Sequence, residues 1–173
     1  MTSQRTCNGV SGRSGHVSHN QENTAMHPFA LALITVFALS SGAASAAGDL
    51  TRQDPVTVTL LVGSTSGDHR FQPDKLGFET GKLHVLRLEN PSPNAYYFGS
   101  QGLADSIYSR KVVALGADNK PLAEIYGPVR RIELKPGAIV EWWFVPVRTG
   151  KFDDVMSTRS HAEAGMRATI EIR

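Results

Sequence analysis

The segment 166–173, MRATIEIR, alternates without a break: Met166, Ala168, Ile170 and Ile172 fall on one side, and Arg167, Thr169, Glu171 and Arg173 on the other. A repeat of two is the side-chain period of an extended strand with one wet face, and an α-helix cannot satisfy it. The same repeat runs through VTVTLLV (56–62), where Val56, Val58, Leu60 and Val62 alternate until Leu61 interrupts. KLHVLRLEN (82–90) is an apolar-rich run that stops at Asn90-Pro91, a turn signal. VRRIELKPG (129–137) and AIVEWWFVPV (138–147) are two further strand-like runs, hinged at Lys135-Pro136-Gly137. Short strands punctuated by Pro, Gly and Asn predict an all-β fold, an antiparallel sandwich or barrel. One stretch breaks the rhythm. SQGLADSIYSRKV (100–112) places Leu103 and Ile107 four apart, which predicts a short helical insertion, and GADNKPLAEI (116–125) reads as a loop.

The N-terminal part of the chain obeys other rules. Residues 1–25 are polar, with too few apolar side chains to repay the entropy of ordering, and read as a disordered or mis-assigned extension. Residues 26–46, MHPFALALITVFALSSGAASA, hold a short apolar run and end in the small-residue pattern Ala44-Ser45-Ala46, as a signal peptide does. The run is short for a membrane span of about 20 residues, so the mature chain is expected to have none. On this reading Met26 is the working start and 47–173 is one mature domain, periplasmic or secreted.

Several chemistries are then excluded. The only cysteine is Cys7, ahead of the apolar run, so the mature domain has neither a disulfide nor a thiolate and must rest on its hydrophobic core. Removing 1–46 takes away Arg5, Arg13 and Glu22 and leaves the domain near neutrality, with no basic stripe for nucleic acid. Nucleophile elbows, HExxH and phosphate-cradling glycine loops are all missing, and Ser157 and Ser160 near His161 have no evident orienting acid. An enzyme is not expected.

Four fragments, in this order, resemble a known family. FQPDKLGFETGK (71–82) is similar to the F-x-P-x-x-L-x-F-x-x-G opening of many bacterial cupredoxin-like domains. LRLENPSPNAYYF (86–98) resembles the strand and turn that carry that family's first copper-binding histidine. LKPGAIVEWWFVPVRTGKFDD (134–154) resembles the segment before its ligand loop, and HAEAGM (161–166) the H-x4-M close of that loop. The resemblance covers roughly 71–173 and implies a Greek-key β-sandwich. It also implies a place for a type 1 copper, which is held by two His, one Cys and a weak axial Met.

The implied ligand set is altered. The second His and the Met fall on His161 and Met166, and the first His falls near Tyr96 or Tyr97. The Cys falls in the window Met156, Ser157, Thr158, where no cysteine stands. Without a Cu–thiolate bond, blue-copper electron transfer is not expected. The remaining soft donors are His161, Met166 and Met156, and thioethers with imidazole favour Cu(I). Trp142 and Trp143 stand in the preceding strand, where an indole face can meet a bound monovalent cation, although neighbours in a strand must point to opposite faces.

Each of these residues also has a plainer reading. Met166 and Met156 fit core and loop-edge packing, and Tyr96-Tyr97-Phe98 an aromatic plug. His84 fits a satisfied or edge histidine in a strand, and Asp68-His69-Arg70 a solvated turn. Asp153-Asp154 reads as a solvated edge. Two functions follow. The first is a copper-binding periplasmic protein, with Cu(I) held by His161, Met166 and Met156, that serves copper homeostasis. The second is a metal-free scaffold whose surface around 99–127 meets a periplasmic partner protein.

Overall fold

In the computed structural model the described residues are 48–173; the expectations for 1–25 and 26–46, and Cys7, lie outside them. A 3-10 turn, Leu50–Arg52, leads into β1 (Val56–Val62), β2 (Phe71–Gln72), β3 (Lys75–Phe78), β4 (His84–Glu89) and β5 (Tyr96–Gly99). After α1 (Gln101–Ala104) come β6 (Ile107–Leu115), β7 (Pro121–Ile125), β8 (Arg131–Leu134), β9 (Ile139–Pro146) and β10 (Gly150–Met156). A second short helix, α2 (Arg159–Glu163), precedes β11 (Arg167–Ile172). The strands form two sheets, ordered β2-β1-β4-β9-β6-β7 and β3-β11-β10-β5-β8. Among the described residues no helix is long and apolar enough to cross a membrane.

The period-two runs become strands because alternate residues meet between the sheets. Leu60, Val62, Leu86, Leu88, Trp142 and Phe144 come from one sheet, and Leu76, Phe78, Tyr96, Phe98, Leu134, Ala168, Ile170 and Ile172 from the other. Phe98 crosses the interface to meet Trp142 edge-on at 6.4 Å. The turn signal at Asn90-Pro91 is fastened by Asn90 itself. Its amide donates to the carbonyls of Asn94 (2.8 Å) and Leu134 (3.0 Å), and its Oδ1 accepts from Ser92 N (2.9 Å). The chain thereby enters β5 at a fixed angle, with Tyr96 turned inward.

The architecture is the expected all-β sandwich, but three local expectations change. The pairing is not wholly antiparallel: β1 runs parallel to β4, and β3 parallel to β11. Residues 121–125 are a strand rather than part of a loop. β6 presents an open ladder there, and Val112 pairs with Ile125 and Val113 with Glu124, so tertiary pairing overrides a segment with no alternation. The helical insertion is a single turn capped by Ser100, and Ile107 already begins β6.

Candidate functional site

The loop from β10 to β11 begins with an alternation that sorts its side chains. Val155 and Ser157 are buried, while Met156 between them is only partly so and pairs with Gly99 of β5. Met156 therefore faces outward. It lines a shallow cleft with Asp154, Arg131 and Thr158, on the far side of the sheet from the core. This removes it from any ligand set with the inward residues of the loop.

The loop then turns helical. Thr158 caps α2 by accepting from His161 N at 3.2 Å, and Gly165 ends it in the left-handed region at φ 97°. The amide of Met166 donates to the His161 carbonyl at 2.9 Å, which closes the turn. Met166 itself is fully buried in the apolar cluster, in line with Ala168, Ile170 and Ile172.

His161 is half-buried, with Nδ1 3.1 Å from the Ser157 hydroxyl, which also accepts the Tyr97 amide at 2.9 Å. Of the three positions where a cysteine is missing, Ser157 is thus the one that faces the histidine. Tyr96, where the resemblance places the first ligand, is completely buried. Its seat is cut by Gly63: a Cβ there would lie 2.4 Å from the Tyr96 ring, and the backbone at φ 87° already disfavours a side chain.

A second imidazole completes the group. The Asp68-His69-Arg70 turn is drawn closed by Asp68, whose carboxylate accepts from the Ser64 and Ser66 hydroxyls, each at 2.9 Å. The turn sends His69 across to β5 and α2. His69 Nδ1 lies 2.9 Å from the Tyr96 hydroxyl. The His69 ring stacks on His161, with centroids 4.6 Å apart and planes at 25°, and the edge of Tyr96 meets both. The turn is solvated, as expected, but the His69 ring within it is held by Tyr96 and His161. No local pattern betrays it, because its partners lie on β5 and α2, far along the chain.

The Tyr96 hydroxyl has one proton and two acceptors in reach, the Gly67 carbonyl at 3.3 Å and His69 Nδ1 at 2.9 Å, and the Ser157 hydroxyl can give or take the proton it shares with His161 Nδ1, so both rings are held through Nδ1 in either tautomer. Among the described residues neither Nε2 has a hydrogen-bond partner. Partial burial, and then the neighbouring His69 charge, hold the His161 pKa below the ordinary histidine range.

The tryptophans do split across the sheet. Trp142 is buried, bonded to Ser109 Oγ at 2.8 Å and packed on Phe98 and Phe144. Trp143 lies on the outer face beneath the Lys111 ammonium and cannot pack under the loop. Asp154 is not a solvated edge. Its carboxylate accepts from Ser100 Oγ (2.6 Å) and Gly102 N (2.8 Å) and fastens α1 to β10. His84 is buried at the start of β4, between β1 and β9, so it is not an edge histidine, and it is only half satisfied, since Nε2 meets Glu79 while Nδ1 has no partner among the described residues.

The donor set does not fit a type 1 copper, since a phenol and an alcohol stand where imidazole and thiolate are required. Among the described residues, no three His, Cys, Asp or Glu side chains converge as a metal-binding group.

No family model matches the chain, and none of the curated proteins does. Solved structures do. A multicopper oxidase from Pediococcus acidilactici is similar at 13% identity and TM-score 0.52, over 70% of this chain and 27% of that one. The copper nitrite reductase of Nitrosomonas europaea is similar at 14% identity and TM-score 0.50, over 69% of this chain and 48% of that one. An auracyanin from Roseiflexus castenholzii is similar at 13% identity and TM-score 0.44, over 68% of this chain and 96% of that one. The chain spans less than half the length of the oxidase and reductase. At these identities the likeness shows the fold alone, a cupredoxin-like β-sandwich.

Proposed function

We propose that this chain is an exported cupredoxin-like protein that binds copper as Cu(I) at the His161 loop, handling the ion rather than passing electrons. One observation carries the reading. His161 is held by Ser157 through Nδ1 and leaves Nε2 unused at a half-open position, in a domain without a thiolate. Imidazole is a competent ligand for copper, and the missing Cu–thiolate bond removes the blue-copper role. Export rests on the signal-like segment 26–46. A Cu(I) competition titration under reducing conditions should show a single equivalent bound and weakened by His161→Ala. Absence of competition, or an unchanged affinity in His161→Ala, would overturn the reading.

A second reading has its own observation. Tyr96 fills the first-ligand position, and the β6–β7 hairpin exposes Tyr108, Leu122, Ile125 and Tyr126 beside it in sequence. A metal-free scaffold that meets a partner protein through this hairpin would look the same. Elemental analysis of protein expressed in a periplasm separates the two, since the scaffold reading expects no copper.

A further inference from the structure

We propose that the cleft beside Met156 is a binding site for a small oxyanion, a phosphate or a carboxylate, held by Arg131 and Arg159. The site stands apart from the copper reading and shares only Ser157 with the His161 loop. The cleft offers about 510 Å³ between the end of β10, the start of β8 and the first turn of α2, and Arg130, Arg131 and Arg159 all line it.

Arg131 is already set for a ligand. Its guanidinium lies over the Tyr97 ring at 4.0 Å, and one nitrogen donates to the Ser157 carbonyl at 3.0 Å. These two contacts fix the plane of a fork whose other N–H groups have no partner among the described residues. Arg159 is exposed and has neither a hydrogen-bond nor an ion-pair partner among them. The carboxylates nearby are engaged elsewhere. Asp154 is taken by Ser100 Oγ at 2.6 Å and Gly102 N at 2.8 Å. Asp105 holds Arg130 at 2.8 Å, and Glu133 holds Lys135 at 2.6 Å. Two guanidinium groups thus line one hollow with donors to spare and no side-chain anion to take them.

The charge selects the ligand. A cation is repelled there, and a neutral molecule leaves both arginines uncompensated. A carboxylate or a phosphate presents paired oxygens, which match the parallel donors of a guanidinium. Met156 adds an apolar wall, so the cleft suits an anionic head on an organic body as well as a free ion.

The test uses the protein's own reporters. Met156 and Met166 are the only methionines after Met26; the first lines the cleft and the second is buried in the core. With isotope-labelled methionine methyl groups, inorganic phosphate and, separately, benzoate are titrated in at constant ionic strength and followed by NMR. Each should move the Met156 signal and leave that of Met166 in place, and the tighter of the two names the source, a free ion or an organic acid. Arg131→Gln and Arg159→Gln should each weaken binding about tenfold, the worth of one charge-assisted hydrogen bond. Lys151→Gln makes the same change of charge at an exposed position of β10 outside the cleft and should leave the affinity unchanged. Arg159 is exposed, so its variant is expected to fold, which an unmoved Met166 signal checks. A Met156 signal that stays still in both titrations overturns the site. An affinity lost equally in Lys151→Gln overturns it too, since net charge alone would then account for the binding.

Discussion

His84 sits at the start of β4 with its ring 2% exposed, edge-on to Phe78 and stacked near Phe144. Its Nε2 meets the amide and carbonyl of Glu79 at 3.1 and 3.3 Å, while Nδ1 has no partner among the described residues. A cationic imidazole needs an acceptor for both N–H groups, so burial holds the His84 pKa below its usual value. The folded state then carries fewer protons than the unfolded one. The contribution to stability is complete above about pH 6.5, the unfolded value, and falls as pH drops through the folded one. Urea unfolding between pH 7.5 and 5 should show wild type losing stability and His84→Leu losing it less steeply; parallel slopes would contradict this. Gly63 works by omission. Gly63→Ala would push a methyl against Tyr96 and Ser92 at a left-handed residue, and should cost about 1–3 kcal/mol in the same unfolding measurement at pH 7.5.

Among the elements, α1 is too short to persist by itself and is held from β10. Ser100 accepts from Leu103 N and donates to Asp154, which also takes the Gly102 amide. Asp154→Ala should therefore loosen α1 by about 0.5–2 kcal/mol, the usual worth of a helix cap. It would be read as faster hydrogen exchange at Leu103 and Ala104, and unchanged exchange would show that Ser100 suffices. How far such elements were legible depends on where their reasons lie. β1 and β11 declare themselves because one face of each is core and the other is not. β7 does not, since all five of its residues are exposed and only the ladder of β6 makes it a strand. At the site, His161 and Ser157 could be placed from their spacing within one loop, although which of 156–158 faces inward required the pairing of β10 with β5. His69 could not be placed, because what orients it is a tyrosine on β5 and a ring on α2.

The molecule as a whole is a cupredoxin-like β-sandwich in which Tyr96 and Ser157 stand where the resemblance implies a histidine and a cysteine. If its frame is retained and only the donors differ, Tyr96→His with Ser157→Cys should bind Cu(II) with intense visible absorption, since Ser157 already faces His161 and Tyr96 packs against it. A colourless double variant would show that α2 has moved the loop out of register. One further property of the frame concerns time. β3 pairs in parallel with β11, whose residues follow it by roughly ninety positions, a closure that slows folding. A ribosome must therefore deliver nearly the entire domain before Leu76 and Phe78 find cover, and until then the nascent polypeptide has no way to complete its second sheet. Such a chain stays open through its synthesis and locks only once β11 has been made.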